Sequence, residues 1–148
     1  MKASLQDWLK NGWIDQHRSS REEIAGLFAV VERDLKACRT QHLVADWRFN
    51  IAYNAALQLA TAALAAAGYR AERASHHFRV IQSLAITMEL DPTTIRKLDT
   101  FRKKRNVADY ERANLVSEVE AEEMRELAER LHKDVSAWIR KNHPDIAP

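Results

Sequence analysis

With 148 residues, 46% of them hydrophobic and 30% charged, the chain is one domain's worth of sequence, too apolar to stay disordered and long enough to bury a core. Its 3 glycines and 3 prolines are too few to punctuate a many-stranded β fold, which needs a turn former about every ten residues. A formal net charge of +2 gives no argument for nucleic-acid binding from bulk charge, so any such argument rests on local patches.

The opening residues mix Lys2, Ser4, Gln6 and Asp7 into positions where a secretory signal needs a continuous apolar run. Leu5, Trp8, Leu9 and Trp13 mark a short amphipathic helix that ends near Gly12. Ser20-Arg-Glu-Glu23 has the spacing of a capping box, in which each side chain satisfies the other's orphan backbone donor. Behind it Ile24, Leu27, Phe28, Val31, Leu35 and Cys38 recur on one helical face. Cys38 is the single cysteine, so no internal disulfide can form, and a reducing compartment, the cytoplasm by default, is expected.

Asp46 predicts the cap of a second long helix, Trp47 to Ala67, closed by Gly68. Its alanines (Ala55, Ala56, Ala60, Ala62, Ala63 and Ala65 to Ala67) leave few polar faces, which predicts a central helix approached closely from several sides. The longest apolar run, Ala62 to Gly68, falls far short of the roughly 20 residues of a membrane span, so no membrane association is expected. Ser75 to about Met88 reads as a third helix. Asp91-Pro92 opens another, with Asp as cap and Pro at the first helical position, running at least to Asn106. Ser117-Glu-Val-Glu120 is a second capping box. After it Val119, Met124, Leu127, Leu131, Val135, Trp138 and Ile139 form a stripe stopped by Asn142-His143-Pro144. The pattern predicts a single all-α domain over residues 1–148, a helical bundle of four main helices plus a short N-terminal helix.

Charge is uneven along these helices. Arg96, Lys97, Arg102, Lys103, Lys104 and Arg105 face Asp99 alone, whereas Glu118 to Arg130 holds six glutamates against Arg125 and Arg130. Two solvated faces that attract each other account for this pattern; so does a basic face kept for a partner. In the helix opened by Pro92, Ile95 and Leu98 set the inward stripe. Helical spacing continues it to Arg102, Arg105 and Asp109. Buried charges are costly unless paired and hydrogen-bonded, so these groups either emerge from the core or line a polar cleft. Asn106 and Tyr110 add an amide and a phenol at the same end. Guanidinium forks bind phosphates bidentately, which suits such a cluster to phosphate. An internal network, with Arg105 paired to Asp109 at i, i+4 and Tyr110 covering the core, explains the same residues without any ligand.

The segment Phe101-Arg-Lys-Lys-Arg-Asn-Val-Ala-Asp-Tyr-Glu111 resembles the signature of the HEPN (higher eukaryote and prokaryote nucleotide-binding) domain superfamily. It is most similar to small bacterial members whose signature ends Arg-Asn-x-x-Asp-Tyr. Upstream, Ala52-Tyr53-Asn54-Ala55-Ala56-Leu57, Gly68-Tyr69-Arg70 and Ser75-His76-His77 are similar to the same group, so the resemblance spans roughly Glu22 to Arg140. It implies an up-and-down bundle that forms a homodimer, with two signature helices facing each other across a shared cleft. It also implies RNA or a nucleotide as ligand, and a minimal nucleotidyltransferase as a partner, within a toxin–antitoxin or defence-type pair. The binding residues it implies are Arg102, Arg105, Asn106, Asp109 and Tyr110, with Tyr53 and His77 beside them. Ribonuclease members carry Arg, a polar residue and a His a few residues on. Arg105 and Asn106 match the first two, but Asp109 stands where the His is expected. An ordinary Asp is ionised at neutral pH, cannot donate a proton and repels a scissile phosphate, which argues against ribonuclease activity. Tyr110 sits near the tyrosine that nucleotidyltransferases modify in some relatives. Two alternatives stand beside this reading: a dimeric interaction module without nucleotide chemistry, and an active ribonuclease.

No cofactor is called for. Glu129-x-x-His132 has the spacing of di-iron bundles, but no second copy exists in the chain, and a solvated face is the better reading. Adjacent His76 and His77 point to different faces of a helix and read as cap and cleft residues. Trp8, Trp13, Trp47 and Trp138 read as core or interface, with Trp8 and Trp13 as candidates for a dimer surface.

Overall fold

The computed structural model describes residues 4–40, 42–110 and 115–148, the last five residues of the helix ending at Tyr110 by backbone alone. In chain order the elements are α1 (Leu5–Lys10), β1 (Ile14–Gln16), α2 (Arg21–Cys38), α3 (Ala45–Ala66), β2 (Tyr69–Ala71), α4 (His76–Thr87), α5 (Pro92–Tyr110) and α6 (Glu118–Asn142). The protein is mostly helical, as the periodicity predicts. Besides α1, five helices of 12 or more residues occur among the described residues, where the sequence reading counts four. Each of the five is marked in the sequence by its own cap or stripe, so the count of four is one short, and the break between α4 and α5 falls at the Asp91-Pro92 start. Glu89 adopts a left-handed φ of 52° and Pro92 follows at the first position of α5, so the chain cannot continue one helix through this turn.

A small antiparallel sheet was not anticipated. β1 pairs with β2 in the register Ile14↔Ala71, Asp15↔Arg70 and Gln16↔Tyr69. Gly68, at φ 100°, takes the left-handed conformation that ends α3 and turns the chain back beside β1. Strands of three residues are too short to show an alternating pattern, which hid them in the sequence.

α3 is the central helix, as its alanines predict. It touches α2, α4, α5 and α6, and Phe49, Ala52, Tyr53, Leu59, Ala60 and Leu64 are all buried along it. Small side chains let neighbouring backbones approach, and each large apolar side chain buried among them contributes roughly 1.5–3 kcal/mol. The buried residues from α1 through α6 form one continuous cluster.

The caps hold in part. Ser117 and Glu120 make the full reciprocal box at the start of α6. Ser20 accepts from the Glu23 amide at 3.1 Å, but the Glu23 carboxylate turns to His17 Nε2 at 2.8 Å, so this box is half made. Asp46 does not cap α3, which begins one residue earlier; its carboxylate accepts from the Val116 amide at 3.3 Å and ties the approach to α6 onto α3. The tryptophans divide. Trp8 is buried and meets Trp13 edge to face at 5.8 Å, Trp138 packs partly on the core, and Trp47, on the first turn of α3, is 62% exposed. No helix of the described residues is long and apolar enough to cross a membrane.

Candidate functional site

α5 carries the basic segment, and α3 and α4 supply what lies against it. Ile95, Leu98 and Phe101 are buried, so the inward stripe of α5 holds as far as Phe101 and then meets Arg102 and Arg105. Both arginines are half-buried, and each finds a different compensation. The Arg102 Nε donates to Asp99 Oδ1, one turn back, at 2.8 Å, and its guanidinium carbon lies 5.4 Å from the centre of the Phe78 ring of α4. Arg105 places its guanidinium 5.4 Å from the centre of the Tyr53 ring of α3. Cation–ring contact of this kind offsets part of the cost of withdrawing a charge from water.

Tyr53 is buried, and its hydroxyl lies 3.3 Å from Nδ1 of His77, the second residue of α4. Arg102, Arg105, Tyr53 and His77 are therefore brought together. Asn106, Asp109 and Tyr110 fall in the last five residues of α5. Their side chains, and with them the expected Arg105–Asp109 pair, lie outside the described residues.

The local environment fixes the protonation of this group. Burial pushes the Tyr53 phenol up to about 12, against the opposing pull of Arg105 and Arg102, so it keeps its proton at neutral pH. Burial likewise lowers the His77 pKa, and the positive charge of Arg105, the neighbouring His76 and Arg102 lower it further. His77 is thus neutral at pH 7. The Tyr53 hydroxyl and Nδ1 of His77 share this hydrogen bond, the phenol donating in the tautomer that leaves Nδ1 unprotonated. A neutral imidazole that accepts on Nδ1 carries its proton on Nε2. In that tautomer His77 offers its surroundings an N–H donor and no basic lone pair.

His77 also lines an open cleft of about 620 Å³, together with Arg73, Ser75, His76, Phe78 and Arg102. No carboxylate is among these lining residues. Arg73, in the connection from β2 to α4, is exposed and makes no ion pair or hydrogen bond among the described residues. Ser75 takes a left-handed φ of 57°, its hydroxyl does not cap α4, and the first turn of α4 has no acidic residue. The Asp99 carboxylate is not among the lining residues; it holds Arg102 by Nε and forms an ion pair with Lys103 Nζ at 3.5 Å. The sequence reading missed Arg73 and Phe78 and saw Asp99 only as the lone acid of a basic run. Helical spacing does mark Asp99 as the i, i+3 partner of Arg102, whereas Arg73 lies in a connection where periodicity carries no information.

Two residues of the basic face go elsewhere. Lys97 pairs with Glu123 of α6 at 3.0 Å, and Lys104 pairs with Glu120. Mutual attraction between α5 and α6 thus accounts for these lysines, while Arg102 turns to Asp99 and Arg105 to the Tyr53 ring. Glu129 is held by Arg39 at 2.8 Å and Arg125 at 2.7 Å, and His132 packs against Phe28 at 5.8 Å, so both are engaged within the fold. No protein-family model, curated protein or solved structure matches this chain.

Proposed function

We propose that this chain is a HEPN-type binding protein for RNA or a nucleotide, built as an up-and-down helical bundle and working as a homodimer without ribonuclease activity of its own. The observation that carries this reading is the convergence of Arg102 and Arg105 of α5 with Tyr53 of α3 and His77 of α4, beside a cleft lined by cations and donors. Guanidinium groups at such a place bind phosphate bidentately, and a His77 that donates on Nε2 holds an anion without removing a proton. The resemblance of the Arg105-Asn106-x-x-Asp109-Tyr110 segment supplies the rest. It supports pairing of two signature helices, and a minimal nucleotidyltransferase as partner in a toxin–antitoxin or defence-type pair. Asp109, in place of the histidine of ribonuclease members, favours retention of RNA over its cleavage.

The test is binding and cleavage of single-stranded RNA by the purified chain, with Arg105→Ala and Asp109→His beside the wild type. Wild type is expected to bind RNA without cutting it, with an affinity that falls as salt rises, and Arg105→Ala to bind more weakly. Cleavage by wild type that Arg105→Ala abolishes would establish an active ribonuclease instead. If RNA and nucleotides do not bind at all, and Arg105→Ala only dissociates the dimer, the protein is an interaction module.

A further inference from the structure

We infer that the cleft between the start of α4 and the middle of α5 is a receptor for a terminal phosphate monoester, held by Arg73, Arg102, His76 and the Nε2–H of His77. The inference rests on the reading of the protein as a nucleotide or RNA binder and narrows it to a chemical group. Three observations carry it.

First, the lining is one-sided. Arg73 and Arg102 are permanent cations, His76, His77 and Ser75 are able to donate, and no carboxylate lines the space. Second, the arrangement is prepared. Asp99 holds Arg102 by Nε at 2.8 Å, leaving its two terminal amino groups, and the Phe78 ring lies 5.4 Å from the same guanidinium. Tyr53 engages Nδ1 of His77 at 3.3 Å, which leaves Nε2 as the ring nitrogen without a hydrogen bond among the described residues. Third, the size and charge fit an end more closely than a strand. A volume of about 620 Å³ lies within the range of small-ligand sites and takes one nucleotide-sized group. A phosphate monoester carries close to two negative charges at neutral pH and answers both guanidinium groups, where an internal phosphodiester carries one. Phe78 has Arg102 and Arg79 against it, at 5.4 and 5.5 Å, so its ring supports guanidinium groups and is not a platform for a base. Recognition is then indifferent to base identity.

The same chemistry arrives either on the end of an RNA strand or on a free mononucleotide. The experiment uses the full chain and one short fluorescent oligoribonucleotide prepared with a 5′-phosphate, a 3′-phosphate or hydroxyl ends, with adenosine monophosphate and adenosine as competitors. A phosphorylated end is expected to tighten binding by about tenfold or more, the effect of one additional charge-assisted contact. This preference is expected to vanish in Arg73→Gln, which alters an exposed connection and leaves the core alone, and in Arg102→Gln. Competition by the monophosphate but not by adenosine, as effective as that of the phosphorylated strand, identifies the free nucleotide as the source. Competition by the strand alone identifies the strand end. Equal affinity for all three oligonucleotides overturns the inference and leaves RNA binding standing, whereas no binding of any probe overturns both. A phosphate preference that survives Arg73→Gln and Arg102→Gln also overturns the inference, because it places the receptor elsewhere.

Discussion

Replacing Tyr53 by Phe removes one oxygen from a buried ring and tests the direction of a single hydrogen bond. The hydroxyl lies 3.3 Å from His77 Nδ1, longer than the usual O–H···N contact, so its net worth falls at the low end of the range, about 0.5–1 kcal/mol. Over a chain of this size that corresponds to a fall in Tm of about 1–4 °C. The sharper readout is the titration of His77. A phenol that donates to Nδ1 favours neutral imidazole, since a protonated ring has no lone pair there to accept. Its removal therefore raises the His77 pKa, by about 0.4–0.7 for 0.5–1 kcal/mol. Resolved imidazole NMR signals of His77, followed across pH in wild type and Tyr53→Phe, measure this directly. A fall in the His77 pKa, or a wild-type ring protonated on Nδ1 at neutral pH, would refute the reasoning, because Tyr53 would then be the acceptor.

Other consequences are open to measurement. His77 has its pKa lowered in the fold, so the folded chain resists protonation that the unfolded chain accepts below about pH 6.5. Its contribution to stability is complete above that value and is lost as pH falls through the lowered folded value. Urea unfolding of His77→Gln is expected to lose less stability than wild type between about pH 7.5 and 5.5; equal losses would show that His77 does not titrate with folding. The Cys38 thiol is buried, donates to the Arg48 carbonyl at 3.6 Å, and is pushed up to about 11, chiefly by burial. It should react with a thiol reagent only after denaturation, and full labelling of the folded chain within minutes would contradict this. Arg79 stacks over Trp13 at 3.9 Å while its buried Nε finds no hydrogen-bond acceptor among the described residues. Arg79→Met is expected to be less destabilising than Arg79→Lys, because Met keeps contact with the rings and removes the orphan donor, whereas Lys loses the planar stack. Thermal melts that rank Lys above Met would mean that charge, and not the planar contact, holds Trp13 to α4.

Particular residues show why the helical part of the fold was legible. The stripes through Ile24 to Cys38 and through Met124 to Ile139 repeat for four turns or more, long enough for period 3.6 to outweigh any local exception. Alanine density alone marked α3 as central, because a helix without a polar face has nowhere to go but inside. The separation of α4 from α5 was marked by Asp91-Pro92, whereas the pairing of β1 with β2 depends on the path of the chain after α3. Gly68, at a φ of 100°, was legible as the end of α3, but nothing periodic shows that the chain then returns beside β1. Asp46 misled for a related reason. Its side chain suits a helix start, but its carboxylate accepts from a tertiary partner, the Val116 amide, and α3 begins at Ala45, two residues before the predicted Trp47. The same competition drew Glu23 from its capping box to His17.

The site divides along the same line. Arg102 and Arg105 announced themselves because charges fell on an apolar stripe, and such a break is visible whenever the helix is. How each charge is tolerated could not be read, because the compensating groups arrive from other helices: the Tyr53 ring from α3 and the Phe78 ring from α4. The tautomer of His77 is further removed still. It turns on the direction of one contact between residues 24 positions apart, made by a phenol that burial keeps protonated. Yet that contact decides the chemistry open to the cleft, since an Nε2–H that donates can hold an anion and cannot take a proton from a nucleophile. Sequence spacing therefore located the charges, while their direction of use depends on packing between α3 and α4. For His77 to serve as a general base, Tyr53 would first have to release Nδ1 or reverse its hydrogen bond. Tyr53→Phe is consequently the substitution most able to unlock proton transfer at this position, and the Nδ1 contact is the element of the fold that holds it back.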